Sequence, residues 1–279
     1  MNIQVVTDST ADLPPELAAE LGIRVVPIYV RFGNEAYRDG EDIRSEELYR
    51  RLTTSPIHPA TSQPTPEDFA AVYEEYCGRA DGIISVHISS RISGTCNSAV
   101  VAQEMLKGRC PVEVIDSGFN SGGLALATLA AARLAKAGES LAEIAAGTRR
   151  ALGQISMLGF FRTVKYLARG GRASKVIVAA ASILKVMPLL TFHQGDIVRA
   201  GLVRSVAQGM ERLYNFAAGK REVAEMVIAH SAVPELAEQL KQRLGGLFPE
   251  ERIRIMKLGA GLGVHGGPGV LLVALREGV

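Results

Sequence analysis

Cysteine is scarce in this sequence of 279 residues, where only Cys77, Cys96 and Cys110 occur. The three cysteines show no C-x-x-C spacing and leave an odd thiol, so neither a disulfide framework nor a thiolate metal site is expected. We therefore expect a reduced, cytoplasmic setting and no bound metal.

Charge of one sign is also lacking. The formal net charge is +2, both signs are interspersed, and no block of basic residues occurs. Because proteins that bind nucleic acid usually carry a basic stripe, no nucleic-acid partner is expected.

A long hydrophobic run is the third absence. The most apolar segment, Val176 to Leu190, is interrupted by Lys185 and Pro188 and is too short to span a bilayer. The opening residues, MNIQVVTDSTADLP, have no basic region and become polar at Asp8, which indicates a first strand and not a signal peptide. No stable membrane insertion is expected.

The residues that are present indicate an α/β fold with two domains. Short β-branched runs alternate with helical patterns in the first half, which predicts a mainly parallel sheet with flanking helices. The second half is typical of a mixed or antiparallel sheet with helices, including an antiparallel pair around Gly195-Asp196. The composition changes near Ala151, so we place the domains at residues 1–150 and 151–279.

The secondary structure of four individual segments can also be predicted. Residues 23–32 and 158–172 are each predicted to contribute a strand, and residues 124–138 an amphipathic helix rich in small side chains. The glycine-rich stretch at 261–269 is predicted to be a turn.

The stretch IISVHISSRISGTCNSA (83–99) predicts a buried strand, a hydroxyl-rich loop and then a helix. The hydroxyls of Ser90, Ser93 and Thr95 and the N–H of Gly94 could hold a carboxylate or phosphate, because helix N-termini favour anions. A simple helix cap is the alternative. The stretch has neither a P-loop pattern nor a G-x-S-x-G elbow, so it offers donors without an activating base.

A second polar stretch is PATSQPTPEDF (59–69), where prolines stiffen the surroundings of Thr61, Ser62 and Gln63. A rigid loop pre-organises polar groups for binding, and a solvated linker is the alternative. Another polar cluster, residues 7–10, follows the first strand. Loops of this kind meet at the carboxyl ends of parallel strands, where ligands usually bind.

Two glycine-rich stretches carry further candidates. GLGVHGGPG contains His265 and is similar to an esterase oxyanion motif, but it comes too late in the chain for that role. A histidine that bonds to the local backbone is the alternative. In YLARGGRAS, Arg169 and Arg172 flank glycines and could form a forked contact with a carboxylate or phosphate, or could simply be exposed.

Taken together, these stretches resemble the DegV family of bacterial fatty-acid-binding proteins. The resemblance implies two α/β domains with one long-chain fatty acid bound at their interface and no cofactor. It also implies a partner, because some members present the fatty-acid carboxylate to a separate ATP-dependent fatty-acid kinase subunit. The matching segments occur in family order: VVTDSTADLP, TSQPTPEDF, SSRISGTCNSA, VIDS, YLARGGRAS leading to ILKVMPLL, VRS and GVHGGPG.

The resemblance also implies individual roles. It assigns the carboxylate to Thr61 and Ser93, with supporting roles for Ser62, Gly94, Arg172 and His265, and it assigns partner docking to Arg204. The chain departs from the family at Cys96 and Asn97, where an aromatic residue and a glutamine are common, so the preferred chain length is left open.

We therefore predict a non-enzymatic carrier of one fatty acid. Donors without a base are the pattern of a holder and not of a hydrolase. Two alternatives stay open at this point: a phosphoryl- or acyl-transfer enzyme that uses His265 as base, and a regulatory module that senses the lipid.

Overall fold

The computed structural model describes residues 1–163, 165–171 and 186–278. Its strands are β1 (Ile3–Asp8), β2 (Ile23–Val26), β3 (Tyr29–Phe32), β4 (Glu35–Arg38), β5 (Ala60–Ser62), β6 (Gly82–His87), β7 (Val112–Asp116), β8 (Ile155–Phe160), β9 (Met187–His193), β10 (Asp196–Val203), β11 (Val223–His230), β12 (Ile253–Lys257) and β13 (Leu271–Glu277). Its α-helices are α1 (Pro15–Glu20), α2 (Ser45–Thr54), α3 (Pro66–Glu74), α4 (Thr95–Met105), α5 (Ser121–Lys136), α6 (Leu141–Leu152), α7 (Lys165–Arg169), α8 (Val206–Ala218), α9 (Pro234–Gly245) and α10 (Ala260–Gly266).

The N-terminal sheet is parallel throughout, with the strand order β2-β1-β6-β7. Helices α3 and α4 pack on one face, and α5 and α6 pack on the other. Every residue of β6 is buried, as expected for a parallel strand covered on both faces.

A small antiparallel sheet, β4-β3-β5, was not anticipated from the sequence, and it corrects the prediction of one strand over residues 23–32. The segment is two strands in two different sheets, separated at Pro27, which has no N–H to donate to a sheet. β2 pairs with β1, whereas β3 turns away to pair with β4 and β5.

The C-terminal sheet has the order β10-β9-β8-β13-β11-β12 and is antiparallel except between β11 and β12. The predicted hairpin around Gly195-Asp196 is β9–β10. The prediction of a strand over 158–172 is wrong for Lys165–Arg169, which form α7, and β8 itself ends at Phe160. β13 begins at Leu271, the partner of Phe160, so a longer β8 would lack β13 as a neighbour on one side.

Helix α5 lies between the N-terminal and C-terminal sheets and is buried on all sides from Ser121 to Ala132. The helix predicted for this region is present, but the prediction that it is amphipathic is wrong from Ser121 to Ala132, because a helix enclosed by two sheets is buried on every face. Gly122 permits the close approach, since a Cβ there would lie 2.9 Å from the Cβ of Ala274. The main hydrophobic core consequently includes residues of both sheets.

The fold is α/β with a parallel N-terminal sheet and a mixed C-terminal sheet, each with helices, as predicted. Within the described residues, no helix is both long and apolar enough to cross a membrane.

Candidate functional site

The hydroxyl-rich loop predicted from residues 83–99 lies between β6 and α4 at the carboxyl edge of the N-terminal sheet. Ser93 stands one residue before Gly94, the N-cap of α4. Its Oγ accepts the N–H of Thr95 at 3.3 Å and lies 2.9 Å from the Thr95 Oγ1. The loop therefore does stabilise the helix start, but through Ser93 and not through a side chain at the N-cap position.

Thr61 and Ser62 lie on β5, at an edge of the small sheet. Thr61 pairs with Val30, and Ser62 with Tyr29. The segment that reads as a proline-stiffened loop is thus held by strand pairing, and α3 begins directly after it with a capping box between Thr65 and Asp68.

His265 lies in the short helix α10 and meets Thr61 across 204 residues of sequence. The Nε2 of His265 is 2.7 Å from the Oγ1 of Thr61. Gly170 lies close against the other side of the imidazole, since a Cβ at that position would come within 2.1 Å of Nδ1. The predicted glycine turn is therefore a helix that brings a base to the Thr61 hydroxyl.

A cavity of about 860 Å³, its open mouth included, connects these elements, and we call it the central cavity. Loops that follow β1, β6 and β7, together with β5 and α10, form one side, and the C-terminal sheet forms the other. It is lined by Thr10, Ile28, Thr61, Ile88, Ile92, Ser93, Asn120, Ser121, Met157, Gly159, Phe161, Leu167, Leu190, Thr191, Phe192, Ile197, Leu258, Gly261, Leu262, His265, Gly266 and Leu272.

Thr61 and Ser93 lie where the central cavity meets a second space. Thr61, Ser93 and Ile28 also line a smaller cavity beside it, together with Ser62 and Gln63. The hydroxyls of Thr61 and Ser93 thus stand where a mainly apolar wall meets a more polar space.

Positive charge lies near His58, three residues before Thr61 in the chain. The pKa of His58 is lowered, mainly by burial of its side chain and to a smaller extent by the charges of Arg169 and Lys165 on α7. The ring of His58 stacks on that of Tyr166 with 5.9 Å between centroids.

The remaining predicted residues are more scattered. Gly94 packs against Gln63, since a Cβ there would lie 2.1 Å from the Gln63 Oε1, and it does not line the central cavity. Arg204 is exposed in the connection between β10 and α8, away from the cavity lining. Arg172 lies outside the described residues.

Two aspartates that sequence reasoning did not single out hold α10 in place. Asp12 accepts the N–H of Gly259 at 2.8 Å and the hydroxyl of Ser121 at 2.6 Å. Asp39 accepts the hydroxyl of Ser9 at 2.9 Å, and it also bonds the backbone N–H groups of Ala260 and Gly261. No local motif marks either residue, because their partners are distant in the chain.

The N-terminal sheet also contains a serine–histidine–aspartate array. The Ser85 Oγ is 2.6 Å from the Nε2 of His87, whose Nδ1 is 3.0 Å from Asp8. All three side chains have zero exposure, and Tyr73 donates to Ser85 at 2.8 Å. A nucleophile must reach its substrate, so this array is a buried hydrogen-bond network and does not have the access that catalysis needs.

Comparison with known proteins gives consistent results. A profile of the DegV family, described as uncharacterised proteins, matches residues 2–277. A DegV domain-containing protein of Streptomyces coelicolor is 36% identical over 285 residues, which cover 99% of each chain.

Two solved structures are also similar over almost the whole chain. A DegV family protein from Thermus thermophilus, described for its fatty acid binding, has 34% identity and a TM-score of 0.90, with 99% of this chain and 100% of that chain covered. DegV from Bacillus subtilis, described as a fatty acid binding protein, has 30% identity and a TM-score of 0.90, with 100% of both chains covered.

Proposed function

This chain belongs to the DegV family, and from that relationship we propose that it binds one long-chain fatty acid in the central cavity, with the carboxylate at Thr61 and Ser93. The observation that carries the proposal is the position of these two hydroxyls, which border both the apolar wall and the smaller polar cavity. The fatty acid binding described for the Thermus thermophilus and Bacillus subtilis relatives supports the choice of ligand.

The hydrogen bonds around the two hydroxyls determine whether each hydroxyl is free to donate a hydrogen bond to a carboxylate. If the Nε2 of His265 carries a proton and donates to Thr61, the Thr61 hydroxyl keeps its own proton for the ligand. If Thr95 donates to Ser93 through both its N–H and its hydroxyl, Ser93 likewise keeps its proton. A carboxylate is acceptor-only, so both hydroxyls must donate to it.

The energetics favour a long chain with a paired head group. Each buried methylene contributes roughly 0.8 kcal/mol, so an acyl chain along the apolar wall provides most of the affinity. An unpaired buried carboxylate would cost several kcal/mol, which two donated hydrogen bonds offset. Ser62, Gly94 and Arg172 have supporting roles in this proposal.

We propose further that the protein is a cytoplasmic, non-enzymatic carrier without a cofactor, which presents the carboxylate to a separate ATP-dependent kinase subunit. Arg204 is the proposed docking residue. It is exposed, and its side chain makes no hydrogen bond or ion pair within the part of the chain that the structure describes.

Mass spectrometry of the denatured, purified protein tests the ligand. We expect one long-chain fatty acid per chain, and a nucleotide or no lipid at all would contradict the proposal. Incubation of the loaded protein with ATP alone should yield no acyl phosphate, whereas addition of a matched kinase subunit should yield it. Product formed with ATP alone would favour the enzyme alternative that uses His265.

A further inference from the structure

Asn120 differs from the other polar side chains that line the central cavity. It is half-buried at the start of α5, and its side chain makes no hydrogen bond with any residue that the structure describes. Outside the candidate carboxylate site, the other polar lining side chains have partners: Thr10 bonds to Asp8, Ser121 to Asp12, and Thr191 to the carbonyl oxygen of Met157.

The side chain of Asn120 does not cap the helix, although its position would allow it to. Asn120 is the N-cap residue of α5, where an asparagine side chain normally accepts an N–H of the first helical turn. That hydrogen bond is absent from the helix start. The backbone carbonyl of Asn120 does accept the N–H groups of Gly123 and Leu124. The backbone thus serves the helix, and the amide stays available to the cavity.

The surroundings make a free amide costly once a lipid is bound. Phe119, the preceding residue, packs against Phe192 with 5.6 Å between ring centroids, and Phe192 lines the cavity. In the empty cavity, water can pair with the amide. An unsubstituted alkyl chain would displace that water and leave a donor and an acceptor unpaired, and a desolvated polar group without a partner weakens binding.

We infer that Asn120 recognises an oxygen atom on the acyl chain, so that the preferred ligand is a hydroxylated long-chain fatty acid. An amide suits this role because its NH₂ donates to a hydroxyl oxygen while its carbonyl oxygen accepts the hydroxyl proton. The inference rests on the proposed function, since it assigns a class of ligand to the same cavity. A site that pairs with a ligand hydroxyl discriminates against the analogue that lacks it.

Affinity measurements with defined lipids test the inference. The delipidated protein would be titrated with stearic acid and with a panel of monohydroxystearic acids that carry the hydroxyl at successive carbons. We expect at least one regioisomer to bind on the order of tenfold more tightly than stearic acid. In Asn120→Leu, this preference should disappear, and stearic acid itself should bind more tightly because no amide is left unpaired.

Controls separate this inference from the proposed function. Asn215→Leu, an exposed position on α8, should retain the wild-type preference. If Asn120→Leu does not fold, Asn120→Ala provides the same comparison. Tight binding of stearic acid with no gain from any hydroxyl, or a gain that persists in the Asn120 variants, would overturn the inference alone. If no fatty acid binds at all, the proposed function fails and the inference fails with it.

Discussion

Thr61 and Ser93 each have a neighbour that determines what the hydroxyl can offer. The imidazole of His265 is 2.7 Å from Thr61, and Thr95 contacts Ser93 through both its N–H and its hydroxyl. The sequence pattern alone indicated donors without a base, because His265 is far away in the chain. In the fold, the base is present, and its proposed role is to donate a hydrogen bond to the Thr61 oxygen and not to remove the hydroxyl proton.

Removal of the two hydroxyls tests this proposal. Thr61→Val and Ser93→Ala should each weaken fatty-acid binding about 10- to 100-fold, because a hydrogen bond to a charged group contributes about 1.5–3 kcal/mol. Titration with a fluorescent fatty acid measures the loss. Thr53→Val and Ser90→Ala remove exposed hydroxyls outside the cavity lining and should leave binding unchanged. Undiminished affinity in the double variant would reject the assignment.

At the scale of elements, α10 shows why a glycine-rich segment can be a helix. Its glycines admit neighbouring side chains, since a Cβ at Gly261 would lie 2.5 Å from Ile28 and one at Gly263 would lie 2.6 Å from Leu48. Glycine disfavours a helix. Two features offset that cost: packing against these side chains, and the hydrogen bonds that Asp12 and Asp39 accept from backbone N–H groups at the start of the helix. Local propensity therefore predicted a turn where tertiary contacts produce a helix.

The close approach of α5 to the C-terminal sheet gives a prediction for that helix. Alanine is normally the better helix former, yet Gly122→Ala should destabilise the protein by about 1–3 kcal/mol because the new methyl overlaps Ala274 and Val227. Urea denaturation measures the change.

Gly153→Ala is the matched control for this substitution. Gly153 is exposed at the end of α6 with helical backbone angles, and the nearest atom to an added Cβ is the Arg150 carbonyl oxygen at 3.4 Å. This variant should be neutral or slightly more stable. Equal effects at both positions would contradict the close packing assigned to α5.

At the scale of the whole molecule, buried aspartates join the N-terminal half to α10. Burial raises the pKa of Asp12, and it raises the pKa of Asp39 to about 6. The hydrogen bonds that these carboxyl groups accept act in the opposite direction. An unfolded aspartate titrates near about 3.9. The folded state therefore keeps the proton over a range in which the unfolded state has lost it, so this contribution to stability falls as the pH rises from about 4 through about 6.

Asp39→Asn tests this pH dependence. The variant loses hydrogen bonds at every pH, so the quantity to compare is how its free energy of unfolding, relative to wild type, changes with pH. Between pH about 5 and about 7, that difference should move in favour of the variant by roughly 1 kcal/mol.

Asp42→Asn serves as the control for the pH measurement. Hydrogen bonds from Arg38 lower the pKa of Asp42 to about 2, so this carboxylate is ionised in both states over the same range. Its difference from wild type should stay constant between pH about 5 and about 7. A constant difference for Asp39→Asn as well would show that its carboxyl group is ionised throughout.

The division at residue 150 also belongs to this scale and stays a prediction. Helix α6 runs from Leu141 to Leu152, across the proposed boundary, and α5 packs on both sheets. A composition shift marks where one kind of sheet gives way to the other, but it carries no information on which sheet a connecting helix covers.

The sequence by itself determined the class of the fold, the parallel and mixed character of the two sheets, and the family, because hydrophobic periodicity and ordered motifs are local properties of the chain. Only the tertiary structure decided that Thr61 meets His265, that Asp12 and Asp39 hold α10, and that residues 23–32 divide between two sheets. Each of these depends on contacts between segments far apart in sequence, where packing and hydrogen bonding outweigh local propensity. The candidate site lies where such contacts converge, so its geometry follows from the fold and not from the local sequence.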